Sequence, residues 1–192
     1  AMIGIGHETT LSFVITNPNP ATSLSGIAFS DELPFGISAI PGSFGGTCSG
    51  YWKANPSDGS ELVHSGGTLA GGASCTLTVD VTSSTVGSSL NLSDPIYATQ
   101  SGYNTNISTG VAQAALLVLD SPQIAKDFTP DLLLLGVTPG NASTLTFTIT
   151  TPNPDTAIAG VSSADPFPAN LIVANPTNAA TSGCGSPTWA PT

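Results

Sequence analysis

The chain has 192 residues, of which 40% are hydrophobic and only 7% charged, where soluble domains carry about 25% charged residues. Lys53 and Lys126 are its only basic side chains against 12 acidic ones, giving a formal net charge of −10, so no basic footprint for nucleic acid can be assembled. A mean hydropathy of +0.24 argues against acidic disorder, and the longest apolar runs, 114–119 and 132–135, are far shorter than the roughly 20 residues of a membrane-spanning helix.

Ser and Thr take the place of charge, supplying about a quarter of the chain, with 21 Gly and 16 Pro to reverse its direction. Hydroxyl residues suit the outer faces of β-strands better than those of helices. The first strand is predicted over 10–16, where Leu11, Phe13 and Ile15 alternate with polar residues. Asn17-Pro18-Asn19-Pro20 then reads as a turn. Strands follow at 24–30 and 36–40, closed by Pro41-Gly42. Asp31 and Glu32, which follow the first of these, are adjacent, so in extended chain they face opposite ways and do not converge. A turn at 55–59 leads to a short strand at 61–64, ended by Ser65-Gly66-Gly67, with His64 expected as a solvated edge residue. The clearest alternation is at 75–82, where Cys75, Leu77, Val79 and Val81 face inward. Strands at 88–92 and 111–119 complete the series, and no helix is predicted. Short strands at this spacing read as an all-β, immunoglobulin-like β-sandwich.

The chain also matches itself. Leu11-Ser12-Phe13-Val14-Ile15-Thr16-Asn17-Pro18-Asn19-Pro20 recurs as Leu145-Thr146-Phe147-Thr148-Ile149-Thr150-Thr151-Pro152-Asn153-Pro154, a constant offset of 134 residues. In that register Gly6 meets Gly140, Thr22 meets Thr156, Gly26 meets Gly160, Asp31 meets Asp165, and Leu33-Pro34 meets Phe167-Pro168. The expected organisation is therefore tandem: a sandwich at 1–120 lacking its first strand, and at 121–192 the N-terminal part of a second. The segment Lys126-Asp127-Phe128-Thr129-Pro130 opens the second unit, and its counterpart in the first would precede Ala1. Both ends are thus expected to cut through a repeat, and the short junction around Pro122 to favour an extended rod.

These motifs carry a resemblance. The strand at 145–154, the Asp31-Glu32-Leu33-Pro34-Phe35-Gly36-Ile37 element, the segment at 71–82 and the opening at 126–130 resemble the conserved-repeat, immunoglobulin-like domains of large bacterial surface proteins. The resemblance implies secretion or display at a bacterial cell surface, and a stalk, adhesin or surface-array role rather than one shared activity. The second unit departs from the pattern, with Pro166 for Glu32 and Asn170 for Gly36.

Candidate sites are few. Cys48 and Cys75 are expected to form a disulfide, implying an oxidising compartment; the alternative is that all three cysteines are buried thiols. Cys184 corresponds to Cys48 after a two-residue insertion, and its partner would fall beyond the chain end or in another chain. No Cys-x-x-Cys pair supports zinc, and no cofactor is expected. Asp120, Asp127 and Asp131 flank the junction between repeats as weak calcium candidates, with solvated turns as the alternative. Lys126 is a candidate for an internal isopeptide bond to an Asp or Asn. Tyr51, Trp52 and Trp189 are candidate glycan contacts, the alternative being that their rings cap the end of the sandwich. Asn91-Leu92-Ser93, Asn106-Ile107-Ser108 and Asn141-Ala142-Ser143 fit the glycosylation sequon, which arises readily by chance in such a composition. His7 and His64 are the sole imidazoles, and no nucleophile elbow or phosphate loop is present, so no enzyme is expected.

The sequence therefore reads as an extracellular structural repeat that self-associates into a fibre or array. Sheet edges are normally blunted with lysine, which is nearly absent here, so edge-to-edge strand pairing is the expected mode. A glycan-binding adhesin module is the competing reading.

Overall fold

The computed structural model describes residues 1–100, 103–106, 111–133, 142–175 and 177–188. All regular structure among them is β: β1 (Met2–Gly4), β2 (Glu8–Thr16), β3 (Leu24–Glu32), β4 (Ile37–Ala39), β5 (Gly45–Gly46), β6 (Tyr51–Ala54), β7 (Glu61–Leu69), β8 (Ser74–Ser83), β9 (Gly87–Leu92), β10 (Tyr97–Gln100), β11 (Tyr103–Asn106), β12 (Gln113–Leu119), β13 (Gln123–Thr129) and β14 (Thr144–Thr150). The chain divides into two compact units, Ala1–Ser121 and Pro122–Thr192.

The first unit is an immunoglobulin-like sandwich. One sheet has the order β11-β10-β3-β7-β6, the other β2-β8-β4 with β5 also on β8. A third ladder, β1-β12-β9, includes a parallel pairing of β1 with β12 (Met2 opposite Leu117). The period-two code places the core. On β8, Cys75, Leu77, Val79 and Val81 are buried and face Phe13 and Ile15 of β2. From the other sheet come Leu24, Ile27 and Phe29 of β3 and Leu62 of β7. Phe13 and Phe29 meet across the sandwich with ring centroids 5.2 Å apart.

Strand β7 departs from the expected pattern. Ser65-Gly66-Gly67 does not end the strand but lies within it, as β7 runs on to Leu69. Gly66 has φ +72°, and the pairing of β3 with β7 shifts register on both sides of Ile27↔Gly67. Three residues that look like a turn thus form an irregularity within a paired strand, where glycine supplies the left-handed backbone. Gly67 also needs its lack of side chain, since a Cβ there would lie 2.6 Å from Nε2 of His64.

In the second unit β13 and β14 pair antiparallel, with Lys126 opposite Phe147. Local geometry recurs at the 134-residue offset. Asn19 O accepts from Thr22 N in the first unit and Asn153 O from Thr156 N in the second; Pro34 O accepts from Ile37 N, and Pro168 O from Leu171 N. Gly26 and Gly160 have φ of +60° and +70°, and Asn170 adopts +72° where Gly36 has +83°. Asn tolerates this conformation better than other non-glycine residues, so the exchange at 170 preserves the turn.

Candidate functional site

Among the edge strands of the first unit, β2 is a long one with unused backbone on one side among the described residues. Its register with β8 is unbroken from Glu8 to Thr16, and the next residue, Asn17, donates its N–H to Ala73 O at 2.9 Å. Peptide groups alternate sides along an antiparallel strand. Those of Thr9, Leu11, Phe13 and Ile15 therefore point at β8, and those of Thr10, Ser12, Val14 and Thr16 point the other way. On that side no strand pairs with β2 among the described residues. Val14, on the outer face of this edge, is 70% exposed.

Beneath the same sandwich lies a buried polar pair. Strand β3 sends Ile27, Phe29 and Asp31 inward, so Asp31 occupies a core position by parity, with no exposed surface. Asn91 of β9 is also buried and donates its Nδ2 to Asp31 Oδ2 at 2.6 Å. Asp31 Oδ1 and Asn91 Oδ1 are enclosed and without a partner. Burial raises the Asp31 pKa; the Asn91 amide opposes this, and Asp94 adds to it by repulsion. Asp94 itself ties β3 to the chain beyond β9, accepting from Ser30 Oγ at 2.5 Å and donating its N–H to Ser30 O at 2.9 Å.

The second unit holds a carboxylate at the equivalent sequence position. Asp165, the counterpart of Asp31, accepts from Lys126 Nζ at 2.9 Å through Oδ1. Its Oδ2 is enclosed and unpartnered. The carboxylate is thus bound on one side by an amide in the first unit, and on one side by an ammonium in the second.

The disulfide and the aromatic cluster form a separate structural feature. Cys48 and Cys75 are bonded (S–S 2.00 Å) across a sequence separation of 27, and native disulfides contribute about 2–4 kcal/mol. Trp52 of β6 turns into the sandwich rather than out of it. Its ring packs against Phe13, Phe29 and Phe44 at 5.6–5.9 Å, and Nε1 donates to Thr78 O at 2.9 Å. Of the two readings of Trp52, this packing fits the ring that caps the sandwich; alternation leaves Tyr51 and Lys53 outside, Tyr51 58% exposed with Lys53 Nζ 5.2 Å from its ring centroid. His64 also differs from expectation. It is 1% exposed, not a solvated edge residue, and packs tilted against Phe29 and edge-on against Trp52. Burial lowers its pKa, opposed by the nearby Tyr51 backbone, and neither ring nitrogen makes a well-formed hydrogen bond.

The remaining candidates do not converge. Asp120 binds the Ser121 N–H, Asp127 accepts from Thr129 Oγ1, and Asp131 is exposed. Among the described residues no group of three or more His, Cys, Asp and Glu could hold a metal ion. Cys184 is an exposed free thiol. Asn91 is committed to Asp31, which is incompatible with a glycan on its amide. Trp189, Asn141 and most of the 106–108 sequon lie outside the described residues. An open groove rimmed by Phe35, Leu90, Leu92, Glu32, Glu61 and Asp94 exposes 91% of Phe35 but assembles no acid–base or nucleophilic set.

A family model described as a domain of unknown function, DUF7933, matches residues 1–118 and 122–192. No curated protein matches the chain significantly. Among solved structures, it is similar to a cohesin module from a family 33 glycoside hydrolase of Clostridium perfringens, at 12% identity and a TM-score of 0.41, covering 62% of this chain and 91% of that one. A family 123 glycoside hydrolase from Clostridium perfringens is similar at 15% identity and a TM-score of 0.33, covering 62% of this chain and 22% of that one.

Proposed function

From the premise that the chain belongs to the DUF7933 family, we propose that it is a non-enzymatic, extracellular structural repeat that builds a surface stalk or filament by adding strands to open sheet edges. The observation that carries this reading is the edge of β2: a nine-residue strand with one side unpaired among the described residues. Long exposed edges invite pairing with another chain, and lysine is the usual guard. The two lysines lie elsewhere, Lys53 on the edge strand β6 and Lys126 on β13. The edge of β2 instead presents Thr10, Ser12, Val14 and Thr16, suited to a partner strand. The Cys48–Cys75 disulfide supports an oxidising compartment outside the cytosol. Inward packing of Trp52 weakens the glycan-binding alternative, which retains Tyr51 among the described residues.

Sedimentation of the full chain over a wide concentration range tests this. The expected result is concentration-dependent association that Val14→Lys suppresses without altering the unfolding midpoint. A chain that stays monomeric at the highest concentrations, or a Val14→Lys variant that associates as before, contradicts it.

A further inference from the structure

Two glutamates stand opposite each other on β3 and β7. Glu32 pairs directly with Glu61 at the end of that ladder, and both are exposed, although like charges directly opposite in a sheet are destabilising. Asp94 joins them in lining one groove. Apolar side chains share the lining. Asn91 turns into the core, so alternation along β9 leaves Leu90 and Leu92 outside, 55% and 49% exposed. Phe35 adds a ring that is almost wholly in solvent.

The backbone holds Phe35 there. Leu33 and Ile37 on either side of it are buried. The Leu33 N–H donates to Ser60 O at 2.7 Å, the Ile37 N–H to Pro34 O at 3.0 Å, and the Ser84 N–H to Gly36 O at 2.9 Å. A ring fixed in solvent by a turn pinned on both sides is preorganised, which lowers the entropic cost of binding. The second unit builds the same turn without these groups. Asn170 at φ +72° takes the place of Gly36, and the Leu171 N–H donates to Pro168 O at 3.1 Å. At the 134-residue offset Ala169 stands for Phe35 and Pro166 for Glu32. The turn therefore requires neither the exposed ring nor the glutamate.

We propose that this groove docks a segment of a different protein that presents an apolar side chain flanked by arginine or lysine. The apolar side chain packs on Phe35, Leu90 and Leu92, and the flanking cations lie against Glu32, Glu61 and Asp94. Charge complementarity selects that occupant over a second copy of the chain. A copy brings a net charge of −10 and two lysines, of which Lys126 is bound to Asp165 and Lys53 sets its ammonium 5.2 Å from the Tyr51 ring centroid. The groove encloses about 750 Å³, within the roughly 300–1,000 Å³ of pockets that take small ligands, which is room for a few side chains. An exposed aromatic anchor beside fixed charges of one sign suits a hot spot for a partner of the opposite sign. The site lies on β3, β7, β9 and the turn at 33–37, not on the open edge of β2, so it is independent of edge pairing.

The probe is an acetylated and amidated peptide, Gly-Ser-Arg-Leu-Arg-Ser-Gly, titrated into the isotope-labelled 192-residue chain and followed by amide NMR shifts at low salt. The expected result is saturable shifts confined to residues 32–37, 60–61 and 90–94. Phe35→Ala, which copies the residue at 169, is expected to unfold at the wild-type midpoint and to bind about tenfold more weakly, through loss of one apolar contact. The Glu32→Gln, Glu61→Gln double variant is expected to weaken binding by a similar factor, and a peptide with Glu in place of both Arg not to bind. No saturable shift, equal binding of the Arg and Glu peptides, or undiminished binding to the Phe35→Ala chain overturns the site. Shifts at the same residues that grow with protein concentration alone, and that Phe35→Ala abolishes, identify a second copy as the occupant and overturn the foreign partner. None of these readouts involves β2, so edge pairing stands or falls separately.

Discussion

Inside the first unit an imidazole and a carboxyl group are held away from water, and acid acts on them in opposite directions. Burial lowers the pKa of His64 from its usual 6.5. Above that value both folded and unfolded chains carry it neutral. As pH falls through 6.5 the unfolded chain takes a proton that the folded core refuses, so stability is lost until the lowered folded pKa is reached. Burial raises the pKa of Asp31 from 3.8. The folded chain then takes this proton first, and stability is regained as pH falls through the raised value toward 3.8. The denaturant midpoint is expected to drop between pH 7.5 and the onset of that recovery, and His64→Leu to flatten the drop; an unchanged drop in the variant contradicts this assignment. Both residues were legible in principle. Asp31 follows Ile27 and Phe29 at spacing two, and His64 follows Leu62, so parity puts both side chains inside. Polarity alone suggests a surface for His64, and nothing local in the sequence reveals that Asn91, sixty residues along the chain from Asp31, is its partner.

Strands with strict alternation, 75–82 and 10–16, are found where the sequence puts them, as β8 and β2. They bury one face and expose the other, and that difference is written into neighbouring residues. Strands β5, β6, β10 and β11, of two to four residues, lie below the length at which a period can be read, since their pairing is set by partners distant in sequence. Glycine misleads in β7, where Gly66 and Gly67 resemble a turn yet serve an irregular register. At Gly36 the inference is firmer. Its φ is +83°, a Cβ there would collide with the Thr85 side chain, and the equivalent position is taken by Asn170 at +72°. Gly36→Ala is therefore expected to lower stability by about 1–2 kcal/mol, the cost of holding a side chain in the left-handed region, read from denaturant unfolding. An unchanged midpoint contradicts the need for that backbone geometry.

At the scale of the whole molecule, near-absence of lysine and arginine has two effects. The 12 acidic residues against two basic ones, a net charge of −10, keep copies soluble by repulsion at long range. At strand-to-strand distance no lysine guards the edge of β2, and salt screening lets copies approach. The all-β class and the repeat offset were legible because both are properties of pattern. The buried Asp31–Asn91 pair was not, because its members are separated by sixty residues and meet only once β3 and β9 are placed by the fold.

Residue-resolved amide exchange along β2, followed as protein concentration rises, tests edge pairing most directly. Thr9, Leu11, Phe13 and Ile15 donate toward β8 and are expected to be protected at every concentration. Thr10, Ser12, Val14 and Thr16 face the open edge; they should exchange fast in dilute protein and become protected as copies associate. Fast exchange of these four at concentrations where the chain is associated, or protection of all eight in the dilute monomer, would contradict the account.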